Sequence, residues 1–365
     1  MTRDLFERMR DESVDVDAEF VVAPSSLEEA AAVLGAASEA AVPVSFYGGG
    51  THQGYGGGVQ ADLVVTSTRL NRIIEWQPDD LTVVVEAGVP IAELESEIAA
   101  RRQTAVLPET VQGATVGGVI ATGISGYRRL RYGPTRDRVL QVHVATGYGK
   151  VVASGSPVVK SSTGYGLSRL FTGSLGSLGM IGTVTLKLWS QPFATATVEV
   201  KDAATALRDT YRPLAALETS DGLFLYLAGA ENQVTSQAHG VGGDLRSGLI
   251  WPEPITNPIR IEFRVPASSV PGAIEHAMRL EATRWIAEHG IGRVEAGLDS
   301  VDEAMLALAR AWAESVGGAL VVTAGVDIGL DPWGTPPPSI EVQRRIRAAF
   351  DPAGICNRGI MPGGM

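Results

Sequence analysis

The sequence predicts an α+β protein built from two domains. A chain of 365 residues approaches the size at which one hydrophobic core divides into two. The first half alternates short strand-like runs with three glycine-rich segments, and the second half alternates strand-like runs with longer helical runs. We place the domain boundary near residue 192, which gives a first domain over 1–192 and a smaller α/β domain over 193–345.

Composition and charge narrow the classes of function. The chain is 45% apolar and 19% charged, as in ordinary globular proteins, and its net charge of −11 argues against a nucleic-acid partner. Cys356 is the single cysteine, so neither an internal disulfide framework nor a cysteine-rich metal site is expected. The N-terminus is charged and no apolar run reaches about 18 residues. We therefore expect no signal peptide, no transmembrane segment and a cytoplasmic location, with peripheral attachment to the inner membrane through a complex left open.

The first helix has clear start and stop signals. Ser26 is the expected N-cap, Glu29 would complete a capping box, and an alanine-rich run continues to about Ala40. A strand at Val42–Ser45 then leads into the first glycine-rich segment, 46–58, in which seven of 13 residues are glycine. Glycine is entropically costly, so this segment is either a plain surface loop or a place where backbone N–H groups approach an anion.

Further elements of the first half follow from periodicity and turn residues. The expected order is three strands, an amphipathic helix, a second glycine-rich segment, a run with four arginines, two strands across the turn Gly147–Gly149, and a third glycine-rich segment. Their limits are Asp62–Thr66, Ile73–Trp76, Leu81–Ala87, Pro90–Ala100, Pro108–Gly126, Arg128–Arg136 and Ser162–Leu188.

The second half has an α+β pattern with longer helices. Strands are predicted at Ala196–Val200, Gly222–Leu227, Ile259–Val265 and Ala319–Val326. Helices are predicted at Ala203–Tyr211, Pro271–His289, Asp302–Ser315 and Ile340–Phe350. The proline-rich stretches Trp251–Pro258 and Asp331–Pro338 are expected to be loops.

The three glycine-rich segments do not match the common nucleotide-binding motifs. The first segment is not G-x-G-x-x-G, lacks the acidic partner of a Rossmann site, and is not followed by the G-K-[ST] of a P-loop. Three such segments nevertheless suit a long ligand with a central pyrophosphate that the main chain holds at several points.

Taken together, the motifs resemble those of the vanillyl-alcohol oxidase and p-cresol methylhydroxylase (PCMH) superfamily, and within it the E subunit of bacterial glycolate oxidase. The resemblance is dense over 20–192, thin over 193–345, and returns at the last fifteen or so residues. The matching stretches are Gly48–Thr51, Val83–Val89, Ala114–Gly118, Ala121–Gly123, Arg129–Leu140, Lys160 with Gly164–Leu170, Gly173–Gly179 and Phe350–Asn357.

This resemblance implies a fold, a cofactor and a set of binding residues. The fold would be a two-lobed PCMH-type FAD-binding domain followed by the smaller α/β cap domain, with a C-terminal segment, 346–365, returning to the FAD domain. FAD would be bound noncovalently, and no metal is expected. The pyrophosphate would lie on Gly48, Gly49, Gly50, Thr51 and His52. The second loop would follow the pyrophosphate and flavin with Pro108, Thr115, Gly117, Gly118, Thr122 and Gly123. Gly173, Ser174, Gly179 and Ile181 would lie near the adenosine or the flavin edge.

Several residues have two readings. His52 follows Thr51 rather than the glycines directly, so a backbone contact or a solvent-facing ring is favoured over covalent flavin attachment. Cys356 and His143 are expected to be structural. Arg128, Arg129, Arg131 and Arg136 would either neutralise the pyrophosphate or hold a partner subunit, and Arg136 with Asp137 would otherwise form a structural ion pair.

The catalytic residues cannot be assigned from the sequence. Oxidation of a 2-hydroxy acid needs a base for the hydroxyl proton and a cation for the carboxylate. The catalytic relatives share a histidine-rich metal stretch, H-x-G-D-G-N, that this chain lacks; His239–Asp244 is interpreted as a glycine-rich loop. Arg260 and Arg264 would either hold a carboxylate or be exposed structural arginines, of which the second is favoured.

The resemblance implies an oxidoreductase acting on CH–OH groups. The favoured hypothesis is the FAD-binding subunit of a glycolate oxidase-type complex, with a catalytic flavin subunit and an iron–sulfur subunit as partners and a 2-hydroxy acid or alcohol as substrate. One alternative is a self-sufficient FAD oxidase or dehydrogenase of another alcohol, sugar or hydroxy acid. Another is a non-catalytic domain that mediates assembly.

Overall fold

The N-terminal part folds into a small parallel sheet packed on one long helix. The computed structural model describes residues 2–59, 61–109, 112–158, 166–325 and 329–364. The sheet order is β1-β3-β2, and both pairs are parallel. These elements are α1 (Thr2–Arg8), β1 (Phe20–Val22), α2 (Leu27–Glu39), β2 (Val44–Tyr47) and β3 (Leu63–Thr66).

Helix α2 begins where the sequence predicts, but its capping box differs. The Ser26 side chain accepts a hydrogen bond from the Glu29 backbone N–H, at 3.1 Å. The Glu29 carboxylate accepts from the backbone and hydroxyl of Ser25, at 2.7 and 2.8 Å, and not from Ser26. The Glu29 carboxylate therefore binds Ser25 instead of the predicted partner Ser26, although Ser26 is confirmed as the N-cap.

A five-stranded antiparallel sheet forms the second lobe of the N-terminal half. Its order is β4-β5-β9-β7-β8, while β6 and β10 form a separate antiparallel pair. Buried side chains such as Val85, Leu94 and Val184 build its core. The elements are β4 (Ile73–Gln77), β5 (Thr82–Glu86), α3 (Ile91–Ile98), β6 (Gln103–Thr104), α4 (Val116–Thr122), α5 (Arg129–Tyr132), β7 (Val139–Ala145), β8 (Val151–Gly155), α6 (Ser168–Phe171), β9 (Met180–Lys187) and β10 (Trp189–Ser190).

From residue 194 the chain forms one eight-stranded antiparallel sheet, in the order β14-β11-β13-β12-β16-β17-β15-β18. Helices α9 and α10 cover an apolar face that includes Phe263, Val294 and Leu298. The elements are β11 (Ala194–Val200), α7 (Ala203–Asp209), β12 (Ala215–Thr219), β13 (Gly222–Gly229), α8 (Glu231–Gly240), β14 (Leu245–Ser247), β15 (Ile259–Arg264), α9 (Val270–Arg279), β16 (Arg284–Glu288), β17 (Arg293–Leu298), α10 (Glu303–Ser315), β18 (Ala319–Ala324) and α11 (Ile340–Phe350). Together with the first two sheets, this architecture confirms the predicted α+β class.

In this half one predicted helix is wrong, and the loop predicted over His239–Asp244 is confirmed only for residues 241–244. The helix expected over Pro271–His289 ends at Arg279, and β16 begins five residues later. Glu281 adopts a left-handed φ of 58°, which turns the chain, and β16 then pairs on both sides with β12 and β17. Sheet pairing thus overrides a local pattern that suits a helix. The stretch expected as a glycine-rich loop from His239 begins inside α8, which ends at Gly240.

The C-terminal segment packs back onto the first sheet. The Val44 backbone donates to Ile355 O at 2.9 Å, and the Asn357 backbone donates to Val44 O at 2.8 Å. The Asn357 side chain accepts from the Phe46 N–H and donates to Leu175 O. Cys356 is completely buried, as expected for a packing residue. No helix in the described ranges is long and apolar enough to cross a bilayer.

Candidate functional site

The three glycine-rich segments meet around one cavity. Its walls are the loop after β2, the first turns of α4, and the start of β9 with the residues before it. Most of the predicted binding residues line it: Gly48, Gly49, Gly50, Thr51, His52, Thr115, Gly117, Gly118, Thr122, Gly179 and Ile181. We call this the first cavity.

The other predicted binding residues lie around it. Gly123 and Gly173 line a neighbouring cavity, the third cavity, together with Arg129 and Arg136. Ser174 is buried and donates its hydroxyl to Phe171 O at 2.9 Å, while Pro108 packs closely against Gly126. Neither Ser174 nor Pro108 lines these cavities. Lys160, Gly164 and Tyr165 of the third segment lie outside the described residues.

The glycines of the first loop are needed for a reason that the sequence did not reveal. A Cβ on Gly48 would lie 2.4 Å from Thr115 Oγ1, and one on Gly49 would lie 1.8 Å from Gly113 O. Gly50 has a φ of 70°, in the left-handed region. Because these glycines have no side chain, the first loop can pack directly against the second glycine-rich segment.

The same loop retains unused hydrogen-bond donors. The backbone N–H groups of Gly48 to His52 make no hydrogen bond to any other residue in the described part of the chain. Buried or cavity-lining N–H groups are normally paired, so five successive free donors are unusual. Such a set can accept an anion with several oxygens, and a pyrophosphate in the first cavity fits it. The residues present are therefore suited to FAD.

His52 and Thr51 stand between two cavities. The Thr51 hydroxyl and His52 Nδ1 are 2.7 Å apart. Both residues line the first cavity and also a cavity beside it, which we call the second cavity. Burial lowers the pKa of His52, and the nearby positive charge of Arg260 lowers it further. The imidazole is therefore neutral at neutral pH.

The second cavity is lined by charged side chains that the sequence analysis mostly missed. Strands β15 and β17 contribute Arg260, Glu262, Arg293 and Glu295, and the N-terminal half contributes Tyr55 and Tyr127. Their signal was present in the sequence, because R-I-E-F-R and R-V-E place a charge at every second position of a strand. On both strands the intervening side chains, such as Phe263 and Val294, belong to the buried apolar core.

Most of these charged side chains form ion pairs with one another or with neighbouring residues. The Glu262 carboxylate binds Arg264 Nε at 2.5 Å and lies 3.5 Å from Arg293, while Arg293 also binds Glu288. Arg264 in turn donates to the Tyr55 hydroxyl in the N-terminal half. Arg264 is thus a structural arginine with 44% of its side chain exposed, as favoured from the sequence.

Glu295 and Arg260 remain available. No hydrogen bond or ion pair of the Glu295 carboxylate is found among the described residues, and burial raises its pKa despite the opposing charge of Arg293. Arg260 makes a single long hydrogen bond, 3.4 Å, to Ile255 O. The cavity therefore holds one free carboxylate and one free guanidinium.

The arginine-rich run has mixed roles. Arg128 binds Glu109 and Leu107 O, and Arg131 donates to Ala228 O of β13. The alternative of an ion pair between Arg136 and Asp137 is not formed, because Asp137 pairs with Arg169 at 3.5 Å. Arg129 and Arg136 face the third cavity. His143 Nδ1 lies 2.8 Å from Thr183 Oγ1 within the sheet, which confirms its structural role.

Comparison with known proteins gives one family and several partial relatives. Residues 18–155 match the family model described as FAD binding domain. The chain is 36% identical over 172 residues to a D-lactate dehydrogenase of Archaeoglobus fulgidus, which covers 47% of this chain and 39% of that protein. It is 38% identical over 178 residues to a D-2-hydroxyglutarate dehydrogenase of Xanthomonas citri pv. viticola, with coverage of 47% and 37%.

A third relative and a solved structure extend these matches. Glycolate oxidase subunit GlcE of Escherichia coli is 30% identical over 212 residues, which covers 55% of this chain and 59% of the subunit. The chain thus spans between 37% and 59% of the length of these relatives. A crystal form of alkyldihydroxyacetonephosphate synthase has the same fold, with a TM-score of 0.68 at 14% identity over 94% of this chain and 76% of that one.

Proposed function

We propose that this chain is an FAD-linked oxidoreductase of the hydroxy-acid dehydrogenase type. The match of residues 18–155 to the FAD binding domain model supports a place among the PCMH-type FAD-binding proteins. The observation that carries the proposal is the loop Gly48–His52. Its five free N–H groups line a cavity that three glycine-rich segments enclose. The matches to dehydrogenases of lactate and 2-hydroxyglutarate support the class of substrate.

The residues of the first cavity would divide the work of holding FAD. The amides of Gly48 to His52 would take the pyrophosphate oxygens, because they are the free donors. Gly117 and Gly118, in the first turn of α4, would allow the cofactor to lie close to the backbone. Asn357 would keep the C-terminal segment against the cavity through its bonds to Phe46 and Leu175. FAD, when bound, supplies a two-electron acceptor for a hydride.

The finer proposal is that the chain is the FAD-binding subunit of a glycolate oxidase-type complex. It is supported by the match to glycolate oxidase subunit GlcE. The partners would be a catalytic flavin subunit and an iron–sulfur subunit. A second candidate, a self-sufficient dehydrogenase, is supported by the second cavity, where a free carboxylate and a free guanidinium adjoin the loop of the first cavity.

The visible spectrum of the purified chain tests the cofactor. We expect a flavin absorption band at about 450 nm. Acid precipitation of the protein should then release the flavin into the supernatant as noncovalent FAD. A yellow pellet would show a covalent bond and would implicate His52. A protein that stays colourless after incubation with FAD would overturn the proposal.

Anaerobic mixing with substrates separates the two candidate functions. The FAD-loaded chain is mixed with glycolate, D-lactate and D-2-hydroxyglutarate, and the flavin band is followed over time. Bleaching by the isolated chain would favour a self-sufficient dehydrogenase. Persistent colour with all three acids would favour a subunit that needs a catalytic partner.

A further inference from the structure

We propose that the second cavity is a substrate site in which Arg260 binds the carboxylate of a 2-hydroxy acid and Glu295 accepts the proton of its hydroxyl group. This inference rests on the second candidate function, the self-sufficient dehydrogenase, because the flavin bound to this chain must take up the hydride. It assigns the carboxylate to Arg260, a role that the sequence offered but did not favour, and it names Glu295 as the base, for which the sequence offered no candidate.

Strand register places the two groups at a suitable separation. In the antiparallel pair β15–β17, Arg260 is opposite Gly297 and Glu262 is opposite Glu295. Arg260 and Glu295 are therefore diagonal neighbours on the same face, a relationship that spans roughly 7–8 Å between backbones. They do not form an ion pair with each other in the described structure. A 2-hydroxy acid carries its carboxylate and hydroxyl on adjacent carbons, so it can bridge this gap.

The surrounding charged side chains form ion pairs with one another, and these pairs fix the position of the site. Glu262 is bound by Arg264 and Arg293, and Arg293 is bound by Glu288. Because Arg264 also donates to Tyr55, this network ties β15 and β17 to the N-terminal half. Arg260 and Glu295 line the same cavity but do not take part in this ion-pair network.

The site also adjoins the proposed flavin cavity. Thr51 and His52 line both cavities, and Ser125 and Gly126 of the second glycine-rich segment line the second one, as does the adjacent Tyr127. A substrate in the second cavity would therefore touch the loop whose amides face the first. His52 is kept neutral by burial and by Arg260, so it does not compete with Arg260 for the substrate carboxylate.

The proposed reaction balances with FAD as the acceptor. The hydroxyl O–H bond breaks and its proton moves to a Glu295 oxygen. The hydrogen on the same carbon leaves with its electron pair for the bound flavin, and a C=O bond forms to give a 2-oxo acid. Glu295 then releases the proton to solvent. Its raised pKa brings this carboxylate closer to the working pH than an exposed glutamate, which favours a general base.

Two variants with matched controls test the assignment on the FAD-loaded chain. Arg260→Gln is compared with Arg284→Gln, because Arg284 lies on the same sheet and makes an equally long bond, 3.4 Å, to a loop carbonyl. Glu295→Gln is compared with Glu199→Gln, an exposed strand position of that sheet. Oxalate, which mimics the deprotonated 2-hydroxy acid, is titrated by calorimetry, and kcat and KM are measured with glycolate and D-lactate.

We expect Arg260→Gln to weaken oxalate binding and raise KM by about 10- to 100-fold, since a charge-assisted contact is lost. Glu295→Gln should lower kcat by about 10²- to 10⁴-fold and leave FAD content unchanged. Both controls should behave as the parent chain.

Unchanged oxalate affinity in Arg260→Gln would overturn the proposal, as would a parent chain that binds FAD but no oxalate; the flavin assignment would then stand. Oxalate binding without turnover, or near-normal kcat in Glu295→Gln, would overturn the role of Glu295. A chain that binds no FAD would instead overturn the proposed function, and the oxalate titration would still decide on Arg260.

Discussion

Glu262 and Glu295 lie directly opposite each other on β15 and β17. Like charges at opposed positions destabilise a sheet unless cations compensate them. Arg264 and Arg293 compensate Glu262, whereas Glu295 has no bonded partner among the described residues. A buried carboxylate in a cavity that has no hydrogen-bonded or ion-paired partner among the described residues is typical of a functional site.

Removing the charge of Glu262 should destabilise the protein. Glu262→Gln would remove the carboxylate that Arg264 and Arg293 share, although Arg293 keeps Glu288, and the lost charge-assisted contacts contribute about 2 kcal/mol. Guanidinium unfolding followed by circular dichroism measures this. Glu199→Gln is the control, because its pair with Arg246 is half-exposed and should contribute less than about 1 kcal/mol. Equal stability of the two variants would contradict the role of the network.

Two adjacent glycines of α4 should respond differently to alanine. A Cβ on Gly117 would lie 2.5 Å from Ala87 Cβ, whereas one on Gly118 would meet only Thr115 Oγ1, at 3.3 Å. We expect Gly117→Ala to lower the free energy of unfolding by about 1–3 kcal/mol through overpacking. Gly118→Ala should be neutral or stabilise by up to about 1 kcal/mol, because alanine favours the helix. The reverse order in thermal unfolding would contradict the packing seen here.

A larger side chain at Gly118 should block the first cavity. Gly118→Leu would project into the open space beside α4, so we expect loss of bound FAD without loss of fold. Flavin content after purification and far-UV circular dichroism are the two measurements. Gly240→Leu, at the end of α8 with open space around it, is the matched control and should retain FAD. Normal flavin content in Gly118→Leu would place the cofactor elsewhere.

The N-terminal segment should contribute stability that depends on acid pH. Burial opposes ionisation of Asp11, but hydrogen bonds from Ser13, Thr68 and Thr66 together lower its pKa from 3.8 to about 2. A depressed pKa in the folded state means that the contribution is complete above the unfolded value of 3.8 and is lost as the pH falls towards about 2. The difference in stability between the parent chain and Asp11→Ala should therefore narrow below pH about 4.

Denaturant midpoints at several pH values between neutral and acidic measure that difference. Asp15→Ala, at an exposed position of the same segment, should match the parent chain throughout. A difference for Asp11→Ala that stays constant down to pH about 3 would show that the hydrogen bonds do not favour the ionised carboxylate.

Local signals predicted much of the first half correctly. The N-cap of α2, the strands around 63–66, 73–77 and 82–86, and the helix after Pro90 all lie where their residues predict. The family match over 18–155 confirms the resemblance and its FAD-binding domain. These succeed because caps, turns and dense motifs depend on neighbours in sequence.

Predictions failed where distant partners decide the outcome. Residues 284–288 suit a helix by their local pattern, yet they form β16 because β12 and β17 offer backbone partners on both sides. Arg136 and Asp137 are adjacent in sequence, yet Asp137 pairs with Arg169 of helix α6. In both cases the competing partner comes from a part of the chain that local pattern cannot weigh.

The sequence by itself determined that the chain is an α+β protein, that residues 18–155 belong to an FAD-binding domain, and that charges alternate along the strand at 259–265. Only the tertiary structure decided which charges are free. Arg260 and Arg264 each lie two residues from Glu262 on β15, but in the folded chain Arg264 pairs with Glu262 and Tyr55, whereas Arg260 lies diagonal to Glu295. Electrostatic pairing acts over a few ångströms, and distances of that kind between strands 30 or so residues apart exist only once the sheet has formed.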